Sequence, residues 1–407
     1  MKLRILLFAV GVLVVLGYAA TYPLVDFVVY WTAAHLFVAH HNPYSLLEVF
    51  HFQRAVGFDG AMPLPLLCPP WVLPLIAPLG WMHSYLLAWL FSITLLIAAV
   101  AVASRLLMDI YFRDIEISEI SHPAFYRYLF AFSFYPVLLA LKFTQMAPVL
   151  LLGMAGFAFF EMRKRAFLAG LCLCVTLLKP QLFLLIWIAV ILQRRWNALA
   201  SAGFISMFLS SIAVFQDHHI FGEYLELMAG SYPRIVLSGI FAGLRSALQP
   251  HDTYWLQFLP PLAGLAWLTW YWRKHRTTWN WIERLPVMTL ASVVTAPYGY
   301  THDQTLLIIP VIALAAAAAR KTGHLPRRLV LLYTVLNATI LMAAIYSTPW
   351  AVIPAPFVLL CCFLSPVVGW LFGEPAARIT VSARPKGDLG PTASGSISSS
   401  GSQIPRL

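Results

Sequence analysis

Charge is the scarcest property of this sequence. Asp, Glu, Lys and Arg together make up 11% of the 407 residues, whereas hydrophobic residues make up 60%. Soluble domains carry roughly 25% charged residues. A chain this poor in charge cannot cover a water-facing surface, so the composition excludes an ordinary soluble protein and predicts an integral membrane protein.

Acidic residues are rarer still, with 16 Asp and Glu against 27 Lys and Arg and a net charge of +11. Nucleic-acid-binding proteins also carry such an excess, but here the basic residues fall in short clusters between apolar runs. This arrangement is typical of the cytoplasmic loops of membrane proteins. Nucleic acid is therefore excluded as a partner, and membrane lipids are expected instead.

Two further absences narrow the function. The few cysteines lie in or beside apolar runs, which favours packing roles over a disulfide framework or a zinc site. No glycine-rich phosphate loop follows a strand, and no soluble α/β domain is visible, so a nucleotide-sugar donor held by a Rossmann-type domain is disfavoured. The five cysteines are Cys68, Cys172, Cys174, Cys361 and Cys362.

The apolar runs predict an all-α, polytopic membrane protein with about twelve transmembrane helices and both termini in the cytoplasm. Lys2 and Arg4 precede the first run, 3–20, which is long enough to cross a bilayer. The alternative reading of this run is a cleaved signal peptide, because Ala19-Ala20 could serve a peptidase.

The segments between the spans divide the chain further. Loops 23–62 and 216–253 are predicted to lie on the outer face and to carry interfacial helices, one of them around 224–228 in the second loop. Residues 1–373 are predicted to form the membrane domain. Residues 374–407, rich in Ser, Gly and Pro, are predicted to be a disordered cytoplasmic tail.

Two segments each have two readings. The proline-rich residues 63–81 either cross the membrane or form a broken, re-entrant segment. The run 166–193 has basic residues at both ends, which favours a hairpin with Lys179-Pro180-Gln181 at its outward tip. One long kinked span is the alternative for this run.

The first outer loop opens with a patterned stretch, DFVVYWTAAHLFVAHHNPY, at 26–44. Its aromatic and aliphatic residues recur at helical spacing, which predicts an interfacial helix with aromatic side chains at the level of the lipid headgroups. Asp26 stands at the start of this helix, at the predicted membrane edge. The residues of the stripe are Phe27, Tyr30, Trp31, Ala34 and Val38.

A few polar side chains stand out from their apolar surroundings. Asp26 and the pair His302-Asp303 fall on the same outer face by the predicted topology, and Lys179 lies deep within an apolar run. Charges at such places are costly and mark functional sites. A helix cap or a salt-bridge partner is the alternative role for a lone aspartate, and the alternative for Lys179 is an ammonium that reaches out to the interface. If Lys179 needs an anion, a lipid phosphate is suitable.

Three histidines in the first outer loop do not form a predicted metal site. His35 and His40 are five residues apart, which turns them to different faces of a helix, and no carboxylate follows His35 at i+3 or i+4. His41 does not complete a set. No metal or other cofactor is expected.

Four stretches resemble glycosyltransferase family 87, the polyprenol-phosphate-mannose-dependent mannosyltransferases of the GT-C fold. CPPWVLPLIAPL at 68–79 is similar to the segment that opens the family's next span, and Lys179-Pro180 resembles its central Lys-Pro region. APYGYTHDQTLL at 296–307 is similar to its late outer turn. Cys68 replaces the usual aromatic residue, and Thr144-Gln145 replaces a Gly-Gln pair. The most specific stretch contains Asp26-Phe27, Tyr30-Trp31, Ala33-Ala34 and Asn42-Pro43-Tyr44.

The resemblance implies transfer of a hexose, mannose in the family, from a polyprenyl-phosphate donor to a lipid or glycan acceptor, with inversion, on the extracytoplasmic side of the cell membrane. Asp26 would be the catalytic base, and Lys179 and His302 would hold the donor phosphate. Tyr30 and Trp31 would wall the sugar site. Asp303 and Gln145 are expected to add contacts to the donor.

Two other functions fit a protein with many spans. A transporter or a lipid flippase would also contain broken helices and an intramembrane lysine, although the long asymmetric outer loops and the absence of a detectable inverted repeat disfavour it. A scaffold in an envelope-building complex is the third hypothesis.

Overall fold

The computed structural model describes residues 25–113, 115, 128, 130–230, 254–322, 327–345 and 358–359. Within these ranges the chain is helical and contains no β-strand, as the all-α prediction requires. The predicted first span, the second outer loop beyond Gly230 and the predicted tail lie outside the described residues. The division into domains therefore stays a prediction.

The helices of the described ranges are connected by short turns. Helix α10 is the helix predicted within the second outer loop. The α-helices in chain order are α1 Val25–Val38, α2 Leu46–Ala55, α3 Leu73–Gly80, α4 Tyr85–Tyr111, α5 Tyr135–Lys142, α6 Ala147–Met162, α7 Ala166–Cys174, α8 Leu184–Leu192, α9 Trp196–Gln216, α10 Ile220–Ala229, α11 Leu259–His275, α12 Trp281–Val294, α13 Ile308–Thr322 and α14 Arg327–Ile345. Turns of 3-10 helix occur at Pro70–Val72, Val175–Leu178, Pro180–Leu182, Tyr254–Phe258, Arg276–Thr278 and Thr301–Leu307.

Three helical stretches of the described ranges are long and apolar enough to cross a bilayer, namely Tyr85–Tyr111, Trp196–Gln216 and Thr301–Lys321. Helix α9 leaves Phe204, Met207 and Phe215 more than half exposed, which suits side chains that face acyl chains. The described helices thus support a membrane protein. The total of about twelve spans stays a prediction.

The chain reverses direction at Lys179. Trp187 Nε1 on α8 donates a hydrogen bond to Thr176 Oγ1, 2.9 Å away, which joins the two arms of the reversal. Arg195, just after α8, forms an ion pair with Glu161, which lies just before α7. The start of the first arm and the end of the second arm therefore lie on the same side. Of the two readings of 166–193, the structure therefore has the hairpin.

The hairpin and helix α6 have the same orientation relative to the predicted site residues. Helix α6 begins just after Gln145 and ends beside Glu161, and the hairpin carries Lys179 at its tip and Arg195 at its base. One end of each segment therefore carries a predicted site residue, and the Glu161–Arg195 ion pair joins their other ends.

The helical stretch that begins at Thr301 follows the same rule. It carries His302 in its first turn and Arg320 in its last, where Arg320 Nη2 donates to the carbonyl oxygen of Tyr111 at 2.6 Å. Tyr111 Oη in turn donates to the carbonyl oxygen of Ile282 at 2.9 Å. Arg195 and Arg320 thus lie at the ends of their segments that are away from the predicted site residues.

The proline-rich residues 63–81 do not form a crossing helix. Only Leu73–Gly80 is α-helical, and its eight residues rise about 12 Å, far less than the ~30 Å of a hydrocarbon core. Trp71 Nε1 donates to the carbonyl oxygen of Leu177 at 3.0 Å, which fastens the segment beside the hairpin tip. Of the two readings of 63–81, the structure therefore favours the broken segment over one continuous spanning helix.

Helix α1 is covered by protein, so the prediction that its aromatic side chains face the lipid headgroups is wrong. Phe27 and Trp31 are at most 4% exposed and both pack edge-to-face against Tyr85. Gly80 lets α3 approach α1, because a Cβ there would lie 2.4 Å from the carbonyl oxygen of Ala34. An apolar stripe suits protein and lipid equally, so the pattern alone could not separate them.

Candidate active site

A cavity of about 340 Å³ lies between α1, the proline-rich segment, the hairpin tip and the Thr301–Leu307 turn. Six of the seven predicted site residues line it, although they come from four separate parts of the chain. These six are Asp26, Tyr30, Gln145, Lys179, His302 and Asp303. The other lining residues are Val29, Leu64, Pro65, Leu66, Leu67, Cys68, Leu178, Gln181, Tyr298 and Tyr300.

Asp26 is held by a two-step hydrogen-bond chain. Gln145 Nε2 donates to Asp26 Oδ2 at 2.9 Å, and Gln145 Oε1 accepts from Tyr30 Oη at 2.9 Å. A phenol that donates to the amide oxygen fixes the amide orientation, so the NH₂ group points at the carboxylate. The arrangement leaves carboxylate lone pairs free to accept a proton from a ligand.

Burial raises the pKa of Asp26 above the usual value of an aspartate, while the hydrogen bond from Gln145 and the charge of Lys179 oppose this rise. The carboxylate is consequently a stronger proton acceptor than a solvent-exposed aspartate. A general base works best when its pKa approaches the working pH. The direction of the shift therefore suits proton abstraction.

Gln145 is positioned by the way helix α5 ends. The backbone N–H of Gln145 donates to the carbonyl oxygen of Ala140 at 2.8 Å, and the backbone N–H of Thr144 donates to the carbonyl oxygen of Leu141 at 3.1 Å. These two bonds form the Schellman pattern. Thr144 takes the left-handed conformation, with φ of 52°, that glycine usually supplies here. Its Oγ1 also accepts a hydrogen bond from Trp89 Nε1 at 3.0 Å. The threonine thus adds a side-chain contact that glycine lacks.

Across the cavity, Lys179 is paired with Asp303. Lys179 Nζ donates to Asp303 Oδ1 at 2.7 Å, and both side chains are at most 10% exposed. Asp303 Oδ2 accepts from the amide of Tyr300 at 3.0 Å, which fixes the carboxylate. His302 Nε2 lies 3.7 Å from Asp303 Oδ1 and has no hydrogen-bond partner among the described residues. The His302 ring stacks on Tyr300 with 5.3 Å between centroids.

Comparison with known sequences identifies the family of this chain. The sequence model of glycosyltransferase family 87 matches residues 67–344, more than half of the chain. The chain belongs to glycosyltransferase family 87. No curated protein and no solved structure matches it.

Family membership makes this protein a glycosyltransferase with a sugar donor and an acceptor, and it favours transfer over the transport and scaffold alternatives. The matched range includes Gln145, Lys179, His302 and Asp303. Asp26 precedes it, so the placement of Asp26 beside these residues is information that the family match does not contain.

Trp31 is the predicted site residue that does not line the cavity of this glycosyltransferase. Its Nε1 donates to the carbonyl oxygen of Met82 at 3.1 Å, and its ring packs against Phe52 as well as Tyr85. Because α1 turns successive residues by about 100°, Trp31 faces away from the cavity when its neighbour Tyr30 faces into it.

Several cavity residues of the glycosyltransferase were absent from the sequence-based set. Tyr298 and Tyr300 alternate with His302 in the YGYTHD stretch at 298–303, and Gln181 follows the Lys-Pro pair. Because they lie within a few residues of His302 and Lys179 in the sequence, they could have been predicted as cavity residues. Cys68 was interpreted as a packing residue, and it both lines the cavity and packs in the core.

The donor set of the cavity does not have the form of a metal centre. Among the described residues, no cluster of three or more His, Cys, Asp and Glu side chains has an arrangement that holds a metal ion. Hydrogen-bond donors and acceptors, together with one lysine ammonium, are the groups that these residues offer a ligand. The expectation that catalysis needs no metal stays a prediction.

Proposed function

We propose that this glycosyltransferase transfers a hexose, mannose by its resemblance, from a polyprenyl-phosphate donor to a hydroxyl of a lipid or glycan acceptor, with inversion and on the extracytoplasmic side of the cell membrane. One observation carries the proposal. The carboxylate of Asp26 and the Lys179–Asp303–His302 group line the same cavity, although they are up to 277 residues apart in the sequence.

The two sides of the cavity suit the two halves of an inverting displacement. Asp26 would accept the proton of the acceptor hydroxyl while that oxygen forms a bond to the anomeric carbon. The bond from that carbon to the phosphate oxygen breaks, and the electron pair leaves with the lipid phosphate. Lys179 and His302 would contact this phosphate, where an ammonium and a ring N–H oppose the growing negative charge. A phosphate is a good leaving group, so one carboxylate is sufficient.

The remaining contacts of the proposal come from the cavity wall. Tyr30 would contact the sugar while it holds Gln145, and Asp303 would keep Lys179 directed into the cavity. Leu64, Leu66 and Leu67 give the apolar wall that a prenyl chain requires. Trp31 would fix helix α1, which carries Asp26 and Tyr30, through its contact with Tyr85 on α4, rather than touch the sugar.

The distribution of basic residues supports an extracytoplasmic site. Arg195 and Arg320 stand at the ends of segments whose opposite ends carry Lys179 and His302. Cytoplasmic ends of membrane proteins are enriched in Lys and Arg. The cavity would then open toward the other leaflet, and about twelve spans remain part of this proposal.

The test is transfer by the purified protein in detergent, with a radiolabelled polyprenyl-phosphate mannose donor and a membrane extract as the source of acceptor. Asp26→Asn should lower turnover by about two to four orders of magnitude while donor binding and expression stay close to normal. Asp59→Asn is the matched control, because Asp59 belongs to the same predicted outer loop but is exposed and outside the cavity.

The same assay separates transfer from transport. Transfer needs no sealed compartment, so activity in detergent is expected, whereas movement of a lipid between leaflets requires vesicles. Full turnover by Asp26→Asn would exclude the proposed base. Absence of transfer in detergent, together with lipid movement in vesicles, would exclude the function.

A further inference from the structure

The charges that line the cavity do not favour an additional anion. With the usual ionisation of these side chains at neutral pH, Asp26 and Asp303 contribute two negative charges and Lys179 the only positive charge among the described lining residues. His302 is the lining imidazole, which can be neutral or charged. With a neutral imidazole the sum is −1. The lysine charge is moreover already matched by Asp303 at 2.7 Å.

A sugar phosphodiester brings one more negative charge into this space. The sum would become −2 in a cavity where the lining charges are largely removed from water, and repulsion between like charges is strong in such a medium. The Lys179 ammonium can reach the phosphate with its free N–H bonds, but it then shares its charge between the phosphate and Asp303. Binding would therefore be favoured by one additional positive charge.

His302 is the group in position to supply this charge. It is 8% exposed, and its Nε2 is buried without a hydrogen-bond partner in the described structure, 3.7 Å from Asp303 Oδ1. When Lys179 turns toward a phosphate, Asp303 can stabilise an imidazolium at this distance. Stacking on Tyr300 holds the ring in place.

The surroundings of His302 contain the groups that decide its protonation. Asp303 and Tyr300 face it from its own turn, and Lys179 faces it from the hairpin. Burial disfavours the imidazolium most, Asp303 favours it and Lys179 opposes it. A ligand that adds a negative charge beside the ring and draws away the lysine charge therefore favours protonation. The other ionisable groups that line the cavity are Asp26, Tyr30, Cys68 and Tyr298.

We propose that binding of the lipid-linked phosphate anion draws one proton from solvent onto His302. The inference rests on the proposed function, because it takes the donor to be a phosphodiester. The bound state has the protonated imidazole and the free state has the neutral one, so affinity falls as the pH rises. One proton taken up corresponds to about a tenfold rise in Kd per pH unit, in the range where free His302 is neutral and bound His302 is charged.

Isothermal titration calorimetry measures this proton directly. The probe is methyl farnesyl phosphate, a prenyl phosphodiester whose charge stays at −1 near neutral pH. The probe itself therefore neither takes up nor releases a proton, and any proton uptake that is measured belongs to the protein. Titrations at one pH in buffers of different ionisation enthalpy should give a slope close to one proton per molecule bound. His302→Gln, which keeps an N–H donor but cannot take up a proton, should bring the slope to zero.

The control variant is His51→Gln, because His51 is exposed and does not line the cavity, and it should keep the wild-type slope. His302→Asn is the second non-titrating variant if the glutamine variant does not fold. Dimethyl phosphate has the same charge without a chain. It should bind at least tenfold more weakly (~1.4 kcal/mol), and equal binding of the two probes would overturn the assignment to a lipid-linked anion.

Two results would overturn the proton assignment. One is binding of the farnesyl probe without proton uptake by the wild-type protein. The other is uptake that persists in His302→Gln and disappears in Asp26→Asn, which would place the proton on Asp26. Sugar transfer without proton uptake on binding would overturn this inference and leave the proposed function intact. Proton-coupled binding of the probe without sugar transfer would support this inference and overturn the proposed function.

Discussion

Replacing Gln145 with leucine tests how the proposed base is held. The Gln145 amide donates to Asp26 Oδ2 at 2.9 Å, and this bond stabilises the ionised carboxylate. A hydrogen bond to a charged group contributes about 1.5–3 kcal/mol. Its loss should lower the ratio of ionised to protonated Asp26 by about 10- to 150-fold at a given pH. Because removal of the donor raises the pKa of Asp26, the acid limb of the pH profile should move to higher pH.

The measurement is the initial rate of sugar transfer by wild type and Gln145→Leu in detergent across pH 5–9. The variant should be weakest at low pH and approach wild type at high pH, where Asp26 is ionised in both proteins. Tyr30→Phe is the matched comparison: it removes the bond that orients the Gln145 amide but leaves the amide that donates to Asp26, so its acid limb should move less than that of Gln145→Leu. A variant profile parallel to that of wild type at every pH would refute the reasoning.

Two further substitutions test the packing that positions the site. Gly80→Ala should destabilise the protein by about 1–3 kcal/mol in thermal unfolding, because the new Cβ would lie 2.4 Å from the carbonyl oxygen of Ala34. Gly203→Ala meets no atom within 4 Å and should leave stability unchanged or slightly raised, and equal effects of the two changes would contradict the close approach of α1 and α3. Thr144→Val should cost about 1–3 kcal/mol by leaving Trp89 Nε1 without an acceptor, whereas Thr144→Ser, which keeps the hydroxyl, should cost less than ~1 kcal/mol. Similar melting temperatures for the valine and serine variants would exclude that hydrogen bond.

The residues of the cavity were predictable because polar groups are rare in this chain. Asp26, Lys179 and the pair His302-Asp303 stand out from apolar runs, and the cost of placing a charge there is a physical reason to expect a function. Their positions in the structure share one cavity. The topology pointed the same way, because basic clusters mark one end of each segment.

The sequence alone did not predict which side chains form pairs or which direction each side chain faces. The sequence does not say that Asp303 would hold Lys179, because an ion pair between residues 124 apart depends on how the hairpin and the Thr301–Leu307 turn meet. Nor does an aromatic pair reveal which member faces a cavity, and here Tyr30 lines it while Trp31 packs against α4.

Segment lengths were also hard to predict from hydropathy. Residues 63–81 are apolar enough to suggest a span, yet their prolines leave only Leu73–Gly80 as α-helix. The run 166–193 has nearly the length of one span plus its flanks, and it folds back at Lys179 instead. Apolar content measures preference for a dry environment, and it does not distinguish lipid from the interior of a protein.

The hairpin limits how this chain can vary in length. Its arms α7 and α8 contain nine residues each, and the Glu161–Arg195 ion pair anchors them at their common base. One residue inserted into either arm would displace Lys179 by ~1.5 Å and rotate it by about 100°, enough to separate its ammonium from Asp303. Substitutions among the apolar residues of the arms should be tolerated far better than single-residue insertions or deletions, since arm length determines the depth at which the ammonium stands.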